Sequence, residues 1–370
     1  MYRAGWPLIA SAALAVIACG ESPSGPSPDT PIPFTVYAQN VYVGANVDAV
    51  LAAGPEELPA ALMGALGTFA ATDWPGRATT IAAAIAARRP DVVALNELTT
   101  LDVTGLAPLF PDLSVDFLPI LMQALADAGQ PYVVAGTVLN IDAQLSLGGP
   151  TVRLRDRDAL LVRPGLAYHD VSHGTYAARV TVPLGPAGSI ELVRGWVAAT
   201  VTQDGRSVRV VATHLEPRST SPALQEAQAM ELVDRFGDLD LPVLVAGDLN
   251  SDPQDPGSTT PYRLLETAGF IDGWLAAPGS HAQGGATCCH QPELTNPTAA
   301  FDQRIDLVLV RPLAAVGGGL QVLGAEILGD HPSERGSNGL WASDHAGLVL
   351  TFDWRRLSDT PRSPASARRP

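Results

Sequence analysis

An α/β fold with two sheets covered by helices is predicted from three features of the 370-residue sequence. Apolar, β-branched runs of strand length recur along most of the chain, segments of helical periodicity lie between them, and turn or cap residues punctuate both. A 46% hydrophobic fraction with 16% charged residues supplies a large core and excludes intrinsic disorder.

The elements follow in order. Phe34-Thr35-Val36-Tyr37-Ala38 reads as a strand ending at Gln39-Asn40. Residues 77–89 form an Ala-rich helix with Ile81 and Ile85 one turn apart, stopped by Pro90. Asp91-Val92-Val93-Ala94-Leu95 is a buried strand that runs out at Asn96-Glu97. Residues 159–162 form another strand. Residues 193–201 and 208–212 flank Asp204-Gly205, a hairpin turn signal. Ser221-Pro222 caps and opens a helix through Phe236. Residues 242–246, 305–310 and 346–352 complete the strands. No internal repeat and no second linker appears, so one folded domain is expected over residues 34–356.

The ends differ in composition. Arg3, an apolar stretch over residues 6–17 and small residues before Cys19 have the three parts of a secretory signal over residues 1–18. The stretch is too short for a spanning helix. Val16-Ile17-Ala18-Cys19 resembles the bacterial lipobox, which implies lipidation of Cys19 and a lipid-anchored protein of the cell envelope, at the outer membrane or cell surface. An ordinary cleaved signal is the alternative. Residues 19–33 are Pro/Ser-rich and form a tether, and residues 357–370 form a tail of similar composition. The net charge of −15, from 38 acidic and 23 basic residues, disfavours a polyanionic partner such as nucleic acid. Bound divalent cations reverse that sign locally, so an acidic cleft still accepts a phosphate.

The polar residues carry the functional signal. Asn40, Glu97, His214, Asp248, Asn250 and Asp344-His345 all fall at the ends of apolar strand-like runs, and Asp306 starts one. Strand ends gather side chains from distant sequence positions into one cleft on a rigid scaffold. Taken singly, Asp or Asn after a strand is a turn former and a lone His is a surface or core residue. Their joint occurrence in this order argues for a site.

At Gln39-Asn40, Asn96-Glu97, Thr213-His214-Leu215, Gly247-Asp248-Leu249-Asn250, Arg304-Ile305-Asp306 and Ser343-Asp344-His345 the chain resembles the endonuclease/exonuclease/phosphatase superfamily. These are metal-dependent phosphoesterases that include DNase I-like nucleases, inositol polyphosphate phosphatases and neutral sphingomyelinases. The resemblance covers nearly all of the folded region. It implies a four-layered α/β sandwich (DNase I-like) with two mainly antiparallel sheets flanked by helices.

It also implies the chemistry. Asn40, Glu97 and Asp344 are the expected metal contacts, with hard oxygens suited to Mg²⁺, or to Mn²⁺ or Ca²⁺. Asp248 and Asn250 hold the attacking water and the phosphate. His345 is the general base or a phosphate-polarising imidazole, with Asp344 its orienting partner or a second metal contact. His214 donates to a phosphoryl oxygen, and Asp306 orients His214 or another cleft group. Asn96 departs from the family pattern, which has glutamine there. Arg157, in the charged run Arg153-Leu154-Arg155-Asp156-Arg157-Asp158, is the candidate phosphate contact, against internal ion pairing as the plainer reading. Asn140-Ile141-Asp142 is a second candidate for the cleft wall, and residues 99–140 for a specificity lid. Cys288 and Cys289 are expected to play a structural role in a loop beside the cleft, as a disulfide between adjacent residues, with two reduced thiols or a soft-metal site with His290 as the alternatives.

The resulting expectation is an exported, monomeric phosphoesterase acting on phosphomonoesters or phosphodiesters: a phospholipid head group, an inositol or sugar phosphate, or a nucleotide. The alternatives are an extracellular nuclease and, in another class, a catalytically inactive surface binding protein on the same fold.

Overall fold

A computed structural model describes residues 1, 30–146, 148–184, 188–257, 259–280, 284–312 and 321–354. The chain divides into two units, Met1–Pro31 and Ile32–Pro370, and every element below belongs to the second. Cys19, the predicted signal beyond Met1, the tether up to residue 29 and the tail 357–370 lie outside the described residues.

The elements run β1 (Pro33–Asn40), α1 (Val47–Leu51), α2 (Leu58–Ala71), α3 (Trp74–Arg88), β2 (Val92–Asn96), β3 (Thr100–Thr104), β4 (Leu113–Asp116), α4 (Phe117–Asp127), β5 (Val133–Ser146) and β6 (Thr151–Val162). They continue β7 (Ala167–Thr175), β8 (Val180–Pro183), β9 (Ser189–Leu192), β10 (Gly195–Gln203), β11 (Arg206–Thr213), α5 (Pro222–Phe236), β12 (Val243–Asp248), α6 (Thr260–Thr267), β13 (Ile271–Asp272), α7 (Gly273–Ala276), β14 (Asp306–Arg311), β15 (Val322–Leu328) and β16 (Gly347–Asp353).

The first sheet has the order β15-β16-β1-β2-β6-β3-β4, with β5 also paired to β6, and the second has β13-β14-β12-β11-β10-β7. Each contains a single parallel pair, β1 with β2 and β11 with β12, among antiparallel neighbours. This is the expected sandwich of two mainly antiparallel sheets.

Strand alternation builds the layers. Phe34, Val36 and Ala38 of β1 face Leu244, Ala246 and Val308 of the second sheet in the central core. Tyr37 of β1 turns outward, against α2, α3 and α4, while Val243 and Val245 of β12 pack under α5 and α6. Such strands are buried on both faces and therefore read as unbroken apolar runs. The helix α5 has its predicted cap, with Leu224 N–H donating to Ser221 Oγ over 3.3 Å and Pro222 in the first turn.

Two expectations are corrected. Residues 99–140 are no lid. They form β3, β4, α4 and the first part of β5, with Phe117, Leu121 and Leu125 in the core. The charged run 153–158 does not precede a strand but lies within β6. Alternation points Asp156 and Asp158 toward the second sheet and Arg153, Arg155 and Arg157 to the other face.

Candidate active site

The topology explains why the polar residues stand at strand ends. In the parallel pair β1–β2, Asn40 lies beside Asn96, so Glu97 follows one residue past the same edge. In the parallel pair β11–β12, Ala212 lies beside Ala246, which sets His214 next to Asp248. The antiparallel strand β14 places Asp306 directly opposite Asp248. His345 enters β16 alongside the end of β1, its carbonyl accepting from Gln39 Nε2 at 3.2 Å. Both sheets thus deliver their functional ends to one edge.

Asn96 ties the sheets together there. Its Nδ2 donates to the Thr213 carbonyl and its Oδ1 accepts from Asp248 N–H, each at 3.0 Å. The shorter amide is therefore a cross-sheet clamp. Gly247, at φ +140°, admits it, because a Cβ on that residue would stand 2.9 Å from Asn96 Oδ1.

Asp248 occupies the centre. Its Oδ1 accepts from Asn250 N–H at 2.8 Å, and its Oδ2 meets Asn40 Nδ2 at 3.2 Å, His214 Nε2 at 3.5 Å and His345 Nε2 at 3.9 Å. Burial, then the neighbouring Asp306 carboxylate, push its pKa up to about 7. Asp306 Oδ2 lies 2.8 Å from His345 Nδ1. Burial alone would lower the His345 pKa, but Asp306, Asp344 and Asp248 outweigh it and hold the imidazole well above its ordinary value. Sequence reading set Asp306 against His214 or another cleft group, and Asp344 against His345; the structure brings Asp306 to His345 and not to His214.

His214 has another partner. Arg194 Nη1 lies 2.9 Å from His214 Nδ1, and Arg194 Nε pairs with Glu216 at 2.8 Å. Burial first, then the charges of Arg194 and His345, hold the His214 pKa well below its ordinary value. Asn250 Nδ2 donates to the Leu215 carbonyl at 2.9 Å and lies 3.2 Å from His214 Nε2.

The expected metal contacts also converge. Asn40 Nδ2 donates to Glu97 Oε1 at 3.0 Å, while Glu97 Oε2 accepts from Val43 N–H at 2.8 Å. Asp344, beside His345, has its pKa pushed up to about 7 by burial and further by the Glu97 carboxylate, against the pull of His345 and Arg77. The Glu97 and Asp344 carboxylates suit a hard divalent cation, whereas Asn40 turns its Nδ2 to Glu97 and its Oδ1 to Tyr42 N–H at 3.0 Å, so an oxygen contact from Asn40 requires its amide to turn over. Among the described residues, Asp248, Asp306 and His345 also form a buried group close enough to share one.

Arg157 is corrected as a phosphate contact. It points away from this cleft, paired with Asp116, with its Nε near the Leu98 carbonyl at 3.3 Å. Arg153 and Arg155 likewise pair with Asp142 and Asp102. These pairs belong to the outer face of β6. Asn140 turns inward instead and donates to Asp156 at 3.3 Å. Cys288 and Cys289 are joined to each other, and Cys289 Sγ lies 3.9 Å from His345 Nε2, so the pair does line the cleft.

Sequence reading missed Arg194, Asp156 and Asp158 as inward-facing groups. The hairpin signal held the clue to the first, since counting back from the turn at Asp204-Gly205 sets Arg194 and Gly195 beside His214 and Leu215.

Comparisons with known proteins agree with this geometry. The sequence model of the Endonuclease/Exonuclease/phosphatase family matches residues 40–345, which begin at Asn40 and end at His345. No curated protein matches the chain at a significant level. Among solved structures, the endonuclease/exonuclease/phosphatase from Beutenbergia cavernae DSM 12333 is 23% identical, covering 90% of this chain and 73% of its own, with a TM-score of 0.56. A family protein from Leptotrichia buccalis C-1013-b is 13% identical over 86% of this chain and 99% of its own, with a TM-score of 0.52. D. rerio TDP2 complexed with single strand DNA product is 16% identical over 86% of this chain and 98% of its own, with a TM-score of 0.50. At these identities the likeness is one of fold.

Proposed function

We propose the following reading from the premise that the chain belongs to the Endonuclease/Exonuclease/phosphatase family and is a metal-dependent phosphoric ester hydrolase: it is an exported enzyme that hydrolyses phosphomonoesters or phosphodiesters by direct attack of water. The observation that carries this is the convergence of Asn40, His214 and His345 on one oxygen of Asp248, with Glu97 bonded to Asn40.

The residues divide the work as follows. Asn40, Glu97 and Asp344 hold a divalent cation, Mg²⁺ in this proposal, which neutralises phosphoryl charge when bound. His345, kept protonated by Asp306, donates from Nε2 to a phosphoryl oxygen. Its raised pKa favours this polarising role over that of base. Asp248, raised toward neutrality, accepts the proton of the attacking water. His214 donates to the developing negative charge, and Asn250 positions the water and phosphate.

Cys19, read as a lipobox cysteine, anchors the enzyme in the bacterial cell envelope, and Cys19→Ala is expected to move it from the membrane fraction to the soluble one. The nuclease reading draws on the fold shared with the DNA-bound TDP2 structure, and the net charge of −15 weighs against it. A panel of sphingomyelin, phosphatidylinositol, DNA and small phosphomonoesters, each with Mg²⁺, Mn²⁺ or Ca²⁺, tests the function. Turnover of DNA alone would establish the nuclease, and stoichiometric binding without turnover would leave a surface binding protein.

A further inference from the structure

A cavity of about 130 Å³ opens beside Glu97. Its floor is polar, formed by Glu97, Asp156 and Arg194, and among the described residues these are the only ones with charged side chains that line it. Its walls are apolar and come from separate elements: Leu62 and Leu66 of α2, Ala143 of β5, Val152 of β6 and Leu192 of β9. The alternation of β6 makes the transition, because Val152 and Leu154 stand on the wall and Asp156, next on the same face, reaches the floor.

Such a space gives water few partners. An apolar cavity of ~150 Å³ in another protein stays dry and takes up benzene. The size and lining here suit a ring or short alkyl chain. The floor is the side of Glu97, already bonded to Asn40 in the site.

On the reading that this site hydrolyses phosphoesters, we infer that the cavity is the subsite for an apolar ester substituent. The substrate class is then an amphiphilic phosphoester, with its phosphate at His214, Asn250 and His345, beside the cation that Asn40 and Glu97 would hold, and an alkyl chain or ring seated against α2 and β6. The reaction balances as hydrolysis. Water adds to phosphorus, the phosphorus–oxygen bond to one alcohol breaks, and that alcohol leaves carrying a proton. The acidic surface and the apolar wall select against a polyanion in the same way, one by charge and the other by the lack of any polar group.

The test uses two series, monoalkyl phosphates and methyl alkyl phosphates, running from methyl to octyl, with alcohol release as the readout and Mg²⁺ present. kcat/KM is expected to rise by about threefold to fourfold per methylene, levelling near ~6 carbons when a benzene-sized space is filled. In a second readout without turnover, hexylphosphonate raises the thermal midpoint more than methylphosphonate does. Ala143→Phe, which fills the space from a half-buried strand position, collapses the hexyl-to-methyl ratio by about tenfold or more. Leu192→Ala enlarges the space and moves the plateau to longer chains. Turnover of every ester with no dependence on chain length, and an unchanged ratio in Ala143→Phe, overturns the subsite and leaves the phosphoesterase standing. Chain-dependent stabilisation by the phosphonates without turnover of any ester retains the subsite and overturns the hydrolase.

Discussion

Arg194 Nη1 and His214 Nδ1 stand 2.9 Å apart, and a guanidinium has only protons to give. His214 must therefore accept on Nδ1 and carry its own proton on Nε2, the nitrogen that faces Asp248. A depressed pKa keeps the ring neutral, so Nε2–H is a fixed donor into the cleft. Arg194 positions His214 and does not itself touch the reacting atoms.

Replacing Arg194 by Gln is expected to lower kcat by about 10–10²-fold, with a smaller effect on KM. It also strips Glu216 of its buried partner, which costs about 3–5 kcal/mol. Stability loss alone leaves the tautomer intact. ¹⁵N chemical shifts of His214 separate the two effects, since they report the proton moving off Nε2 in Arg194→Gln and staying there in Arg194→Lys.

Asp306 and His345 are expected to act as a unit. Asp306→Asn should reduce kcat by about 10²–10⁴-fold, and the double variant Asp306→Asn/His345→Ala should be barely slower than His345→Ala. Additive losses in steady-state kinetics would mean that Asp306 does not work through His345.

Much of this site was legible because strand ends leave a sequence signature. Apolar runs stop abruptly at Asn40, Glu97, His214 and Asp248, and each stop proved to be the edge of a sheet. The fold was legible for a related reason: β1, β2 and β12 are buried on both faces and so stand out as unbroken apolar runs. Pairing of side chains was not legible. Nothing local distinguishes Asp306 serving His345 from Asp306 serving His214, because that depends on which strand lies opposite β14. Arg157 and Asp156 are adjacent in sequence and opposite in fate, separated only by the strand's two-residue period. The helix α2 escaped notice because its Ala/Gly/Leu composition carries weak periodicity, and it is one of the elements that wall the apolar cavity.

Asp156 and Asp158 give a pH signature. Burial raises both above the ordinary carboxylate value of 3.8, helped by the Glu97 carboxylate at Asp156 and by Asp156 at Asp158, which reaches about 8. A carboxyl raised on folding binds its proton more tightly in the native state, so stability is fullest near the unfolded pKa and is lost as pH rises toward the folded one. Urea midpoints should therefore fall between about pH 4 and pH 8. In Asp158→Asn that decline should flatten, with the variant more stable than the parent at pH 8 by roughly 1–3 kcal/mol. An unaltered slope would place the titration elsewhere.

A divalent cation should stabilise the fold through the residues that hold it. Saturating Mg²⁺, at about 100-fold over its Kd, adds ~2.7 kcal/mol by mass action. EDTA is expected to lower the thermal midpoint correspondingly and to abolish turnover. Glu97→Gln keeps the shape of the side chain but removes the charge that draws the ion, so its thermal midpoint should no longer respond to Mg²⁺. A midpoint that still responds would assign the ion to the group formed by Asp248, Asp306 and His345.

Gly247 links the stability of the sandwich to the geometry of the site. Its φ of +140° is a conformation that L side chains rarely adopt, and a Cβ there would overlap the Thr213 carbonyl and crowd Asn96 Oδ1. Those two atoms are the ends of the cross-sheet clamp, so Gly247→Ala cannot relax without moving β11 away from β12 or displacing Asn96. Either shift drags Asp248, whose N–H is held by the same amide. The variant should lose about 3 kcal/mol or more in urea denaturation. Its kcat should also fall at temperatures where it remains folded, because Asp248 would no longer face His214 and His345 at its present distances. Asn96→Ala removes the clamp without the clash and should recover part of the stability of Gly247→Ala when the two are combined. A combined loss equal to the sum of the single losses would mean that the strain lies wholly against Thr213.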